Sequence, residues 1–167
     1  MTDRSIHPAA AEIDGLHLRA VVQADEPFLF ELYASTREEE LAVVDWPESA
    51  KTQFLRMQFE AQSRHYRQHY PGATLDVIEI RGEPVGRLYV HRGRKDIRIM
   101  DIALLPAHRG RGLGTALLRT LMAEAEQSGR SLSIHVEIFN PARRLYQRLG
   151  FVEVDDVGVY KLMEYRR

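Results

Sequence analysis

The sequence predicts an α/β domain with a central, partly antiparallel sheet and flanking helices. An apolar run from Ile97 to Leu105 stops at Pro106. It leads, through the turn Arg109-Gly110-Arg111-Gly112-Leu113-Gly114, into a stretch with Leu117, Leu118, Leu121, Met122 and Ala125 at helical spacing. A second strand pattern, Leu132 to Ile138, follows that helix, so the two strands are expected to be parallel neighbours joined by a right-handed crossover. Elsewhere strands meet through hairpin signals, which makes the sheet mixed. At 167 residues the chain suits one domain with one core.

The elements can be justified in order. Residues 1–14 are small, polar and proline-containing and read as a flexible tail, leaving 15–167 as the domain. Leu16 to Val22 is the first strand. Asp25 is placed to cap a helix carrying Phe28, Leu29, Leu32 and Tyr33. Arg37-Glu38-Glu39-Glu40 precedes Leu41 and Trp46 in a short helix or loop. A long helix is expected from Ser49 to Tyr70, with Phe54, Leu55, Phe59 and Tyr66 turned inward, and Pro71-Gly72 ends it. Strands Thr74 to Ile80 and Val85 to His91 are joined by the hairpin signal Arg81-Gly82-Glu83-Pro84. Near the C-terminus, Phe151 to Val154 and Val159 to Tyr165 read as an antiparallel pair split by Asp155-Asp156 and Gly158.

Composition excludes several classes. Lys and Arg number 23 against 24 Asp and Glu, a net charge of −1, which gives no electrostatic case for nucleic acid. Cysteine is absent, so there is neither a disulfide nor a thiol nucleophile. No apolar stretch approaches a membrane span and the N-terminus lacks a signal-peptide core, so no membrane partner and a cytoplasmic location are expected.

A strand, a glycine-rich turn and a helix start aim unpaired amides and a positive dipole end at an anion, and Arg109 and Arg111 add charge. A P-loop would need Lys-Ser or Lys-Thr after its last glycine, where Leu113-Gly114-Thr115 stands. A dinucleotide fingerprint would need a third glycine where Thr115 falls. The pattern that fits is R-x-x-G-x-G, from Arg109 through Gly112 and Gly114. About thirty residues on comes Asn140-Pro141-Ala142-Arg143-Arg144-Leu145-Tyr146-Gln147-Arg148-Leu149-Gly150-Phe151. Here Asn140 suits an N-cap, Pro141 the first helical position, and Gly150 a left-handed helix end.

These two segments, in this order, resemble the signatures of the GNAT superfamily of acetyl-CoA-dependent N-acetyltransferases, and the resemblance spans nearly the whole chain. It implies acetyl-CoA as co-substrate, no metal, and direct transfer of an acetyl group to a primary amine of a small molecule or protein. It also implies that the two parallel strands splay, with the pantetheine arm against backbone near Leu104 and Leu105. The cofactor contacts it carries over are Arg109, Gly110, Arg111, Gly112, Leu113, Gly114, Thr115, Asn140 and Arg143. Tyr146 takes the place of the family's general acid for the departing thiolate. The family's acceptor wall corresponds to Tyr33, Glu38, Glu39, Glu40, Trp46 and Tyr66, whose carboxylates would gather a cationic amine.

The base is less defined. His135 and Glu137 alternate onto one face of their strand. Asp101 interrupts an apolar strand, and a buried carboxylate is costly without partners. His135 is the leading candidate. His65 and His69 have a metal-compatible spacing but no third ligand, and Arg92, Arg94, Lys95 and Arg98 read as a solvated loop. A non-catalytic acyl-CoA sensor on the same fold is the rival reading, and a homodimer is left open.

Overall fold

The computed structural model describes residues 13–166. Its strands are β1 (Leu16–Ala20), β2 (Thr74–Ile80), β3 (Glu83–Arg92), β4 (Asp96–Leu104), β5 (Ser131–Glu137), β6 (Val152–Val157) and β7 (Tyr160–Tyr165). Its helices are α1 (Glu26–Thr36), α2 (Glu38–Ala42), α3 (Glu48–His69), α4 (Leu113–Ser128) and α5 (Arg143–Arg148). The strands form one seven-stranded sheet in the order β1-β2-β3-β4-β5-β7-β6. All neighbours are antiparallel except β4 and β5. The predicted mixed sheet and its parallel pair are both present.

The main core lies between the sheet and α4. Ile97 and Ile99 of β4, Leu132, Ile134 and Val136 of β5, and Leu117, Leu118 and Leu121 of α4 are all buried in one cluster. A smaller cluster of Leu29, Tyr33 and Phe59 joins α1 to α3. Of the residues expected to turn inward from α3, Phe59 is buried, while Phe54, Leu55 and Tyr66 are half-buried. No helix among the described residues is long and apolar enough to cross a membrane.

Several boundaries differ from expectation, each for a local reason. The expected tail lies outside the described residues up to position 12. Its last two residues are held, Ile13 against the core and Asp14 by Arg81 at 2.9 Å. Asp25 does not cap α1 through its side chain. Its carboxylate instead accepts from the Val22 amide at 2.8 Å, closing a 3₁₀ turn, and binds both terminal nitrogens of Arg19 at 2.7 and 2.8 Å. The β2–β3 hairpin turns on two residues, Arg81 and Gly82, at φ +51° and +81°, the twist that suits paired antiparallel strands. Asp155 and Asp156 belong to β6, and the last hairpin turns at Gly158. The helix α5 opens three residues after Asn140. Asn140 instead supports the preceding turn, its Oδ1 accepting from the Ala142 amide at 2.9 Å.

Candidate functional site

The strands β4 and β5 pair from Asp96↔Ser131 to Ile99↔Ile134 and then part. β4 continues to Leu104 and β5 to Glu137 without a partner in each other, so the sheet opens into a wedge. The Leu105 amide donates to Val85 at 2.8 Å and its carbonyl accepts from His108 at 2.9 Å. Both backbone groups of Leu105 are thus engaged within the protein, which works against the pantetheine contact expected of it. Strand alternation then sends the backbone groups of Ile102 and Leu104 toward the wedge. The Leu104 carbonyl already accepts from Arg109 Nε at 2.9 Å.

β4 is irregular at the mouth of this wedge. Val90 pairs with Ile99 and Tyr89 with Asp101, so Met100 is an extra residue in a β-bulge. Before it Ile97 and Ile99 face α4; after it Ile102 and Leu104 pack against that core. Without the bulge Asp101 would share the face of Ile97 and Ile99. With it, Asp101 lands on the opposite face, paired with buried Arg87. Arg87 also donates to Gln62 of α3 at 2.8 Å and stacks over the Tyr89 ring at 4.8 Å. Tyr66 of α3 donates to the Met100 carbonyl at 3.3 Å. Burial and then Asp101 push the Tyr66 hydroxyl well above its ordinary range, so it stays a donor. Arg87 and Gln62 were missed from the sequence, yet a signal exists. The aliphatic alternation Ile97, Ile99, Ile102, Leu104 slips by one residue, as a bulge requires.

The glycine-rich turn has the shape an anion site needs. Gly110 and Gly112 sit at φ +73° and +84°, where other residues are strained, and Gly112 is the residue before α4. A side-chain carbon added at Gly110, Gly112 or Gly114 would meet no protein atom within 4 Å. The first helical bond of α4 is donated by Ala116 to Gly112, leaving the amides of Leu113, Gly114 and Thr115 without helical acceptors. Leu113 itself is a core residue that anchors the turn, while Arg109 and Arg111 are exposed. Open space over glycines, free amides and flanking cations fit a pyrophosphate.

Tyr146 of α5 is 4% exposed, its ring against Phe151, and its hydroxyl has no hydrogen-bond partner among the described residues. Burial, and then the charge of Asp101 on β4, raise its pKa, so the phenol is protonated at neutral pH. The helix that holds it is stopped as expected. Gly150 is at φ +101°, and the Phe151 amide closes back onto the Tyr146 carbonyl at 3.0 Å. Arg143 is otherwise engaged, donating to the Ile138 carbonyl at 3.0 Å and pairing with Glu153. It ties the β5–α5 connection to β6, which works against the cofactor contact expected of it.

His135 meets Arg98 Nη1 through Nδ1 at 3.2 Å. Arginine only donates, so Nδ1 accepts and the ring proton sits on Nε2. Burial and then Arg98 lower the pKa of His135. The nitrogen that would take a proton is thus occupied, which argues against His135 as the base.

The expected acceptor wall is assembled in part. Tyr33 is 5% exposed and its hydroxyl binds Gln58 at 3.3 Å, so it joins α1 to α3 and does not face an open site. Trp46 is exposed and packs edge-on against Phe54 at 5.5 Å. Glu38, Glu39 and Glu40 lie exposed on α2. A cation stands among these carboxylates: Arg37 Nη1 lies 3.2 Å from both Glu40 and Glu137, at the end of β5. Burial works against the Arg37 charge, and its neighbours Tyr33, Glu137 and Glu40 outweigh it. The wall is therefore mixed in charge. His65 and His69 stack at 4.2 Å, and His69 Nδ1 lies 3.1 Å from the His65 carbonyl.

The acetyltransferase (GNAT) family profile matches residues 29–151. The ribosomal protein bS18-alanine N-acetyltransferase of Haemophilus influenzae is 40% identical over 58 residues, 34% of this chain and 40% of that protein. The uncharacterized N-acetyltransferase YycN of Bacillus subtilis is 37% identical over 84 residues, 47% of this chain and 54% of that protein. The chain thus spans about half or less of the length of these curated relatives. PaiA N-acetyltransferase of Thermoplasma acidophilum, solved with coenzyme A, shares the fold at a TM-score of 0.68 and 14% identity, over 91% of this chain and 99% of that one. An acetyltransferase from Thermus thermophilus reaches a TM-score of 0.65 at 25% identity, over 90% of this chain and 96% of that one. The profile match runs through the wedge, the glycine turn and the α5 helix with Tyr146, and the chain belongs to the GNAT family of acetyltransferases.

Proposed function

We propose that this protein moves the acetyl group of acetyl-CoA directly to a primary amine of a small molecule or peptide. The observation that carries the reading is the wedge between β4 and β5, with the protonated Tyr146 hydroxyl, unpartnered among the described residues, under the influence of Asp101 on β4. The amides of Leu113, Gly114 and Thr115, with Arg109 and Arg111, hold the pyrophosphate, and the wedge edge at Ile102 and Leu104 aligns the pantetheine arm. Bound acetyl-CoA supplies a thioester carbonyl open to attack. Tyr146 donates its proton to the departing sulfur, a role typically worth about 10²- to 10⁴-fold, and the attacking nitrogen sheds its proton to solvent, which reprotonates the phenolate.

The amine must be neutral to attack. At pH 7 a lysine-like amine costs about 4 to 5 kcal/mol to deprotonate, and an α-amino group about 1. With Nδ1 of His135 occupied, an amine of low pKa suits this site best. The name of the Haemophilus relative, which specifies alanine of a ribosomal protein, points the same way.

The test is thiol release from acetyl-CoA by the purified chain against a panel of small primary amines and peptides with free α-amino groups. The acetylated product is identified by mass. Amine-dependent release with acetylated product is expected. Tight acetyl-CoA binding with no release on any amine would instead establish the sensor reading.

A further inference from the structure

The geometry points to α3 as the element that sets the β4 bulge, with Tyr66 and Gln62 as positioning residues for the transfer reaction. This rests on the function proposed above. A bulge leaves its extra residue outside the ladder, and Tyr66 donates to the carbonyl of that residue, Met100, at 3.3 Å. Gln62 lies four residues earlier on the same face of α3 and accepts from Arg87, which in turn pairs with Asp101, the residue after the bulge. Two side chains of one helix thus hold the bulge from both sides, one directly and one through Arg87.

What the bulge decides is the phase of β4 beyond it. It puts Asp101 on the α3 face, turns the backbone of Ile102 and Leu104 to the wedge, and falls next to Ile99, the last β4 residue paired with β5. If α3 releases Met100, the edge along which the acyl arm lies loses its set direction. The glycine turn lies beyond Leu104 and has its own anchor in Leu113, so pyrophosphate binding is spared. Neither Tyr66 nor Gln62 touches reacting atoms in this scheme.

The experiment compares Tyr66→Phe, Gln62→Leu and Gln62→Glu with the wild-type protein. It reads kcat, KM for the amine, coenzyme A affinity by calorimetry, and backbone amide exchange along residues 97–105. Tyr66→Phe and Gln62→Leu are expected to lower kcat about tenfold or more at unchanged coenzyme A affinity, with faster exchange confined to that stretch. Gln62→Glu keeps an acceptor for Arg87 and is expected to recover most of the loss. Wild-type kcat and exchange in the folded Phe and Leu variants would overturn the inference. So would a rate loss that only tracks the unfolded fraction. If the wild-type protein acetylates no amine, the proposed function fails, and the exchange pattern alone decides whether α3 sets the bulge.

Discussion

Arg87 and Asp101, on neighbouring strands, form an ion pair beneath α3 in which the guanidinium is 3% exposed and the carboxylate 19%. Burial opposes the charge on Arg87, and Asp101 together with Tyr89 and Tyr66 outweighs it. The pair exists only because one extra residue, Met100, turns Asp101 away from the apolar core.

Breaking one side of such a pair strands the other. Arg87→Met is expected to destabilise the fold by about 3 kcal/mol, the low end for a broken buried pair because Asp101 keeps some solvent access. Arg87→Met with Asp101→Leu should cost clearly less than Arg87→Met alone. Urea unfolding measures both, and equal losses would mean that the carboxylate is not stranded.

Gly114 separates folding from binding. It lies in the first turn of α4 without a positive φ, and an added methyl meets no protein atom. Gly114→Ala should therefore leave stability unchanged or raise it by up to about 1 kcal/mol. The methyl instead occupies the space proposed for phosphate oxygens, so coenzyme A affinity should fall at least tenfold. Calorimetry showing full affinity would remove the turn from the cofactor site.

Tyr146→Phe keeps the buried ring and its packing against Phe151 while deleting the donor. If proton donation limits the rate, kcat should fall about 10²-fold or more with coenzyme A affinity nearly intact. Single-turnover kinetics distinguishes this from slow product release. An unchanged chemical step would exclude Tyr146 as the acid.

His135 should titrate below 6.5, its ordinary value, because burial and then Arg98 disfavour the imidazolium. The sign follows from linkage. In the window just below pH 6.5 the unfolded chain binds the proton more readily, so stability rises with pH there. The contribution is complete above the unfolded value and is lost as pH falls toward the folded one. Imidazole resonances followed by NMR should give a midpoint below 6.5 that moves upward in Arg98→Met. A midpoint at or above 6.5 in the native protein would contradict the Arg98 contact.

Much of this was legible in the chain. Local rules delivered the glycine turn before α4, the left-handed stop at Gly150, the Arg81-Gly82 hairpin and the parallel neighbours β4 and β5, because each depends on a few consecutive residues or on one periodicity. Local rules also misread Asp25, whose carboxylate was taken by Arg19 on β1 and not by the helix that follows it.

What only the tertiary structure decided are the partners that join distant segments. Arg37 and Glu137 are 100 residues apart, Arg98 and His135 37, and Tyr66 and Met100 34. Those contacts place a cation among the carboxylates of the expected acceptor wall, occupy the accepting nitrogen of His135, and join α3 to the bulge. The sequence by itself determined the family, the order of elements and the glycine turn proposed to receive the cofactor, since those reside in short patterns. The electrostatics of the site came from the fold, because charges act through space on whatever the sheet brings near them.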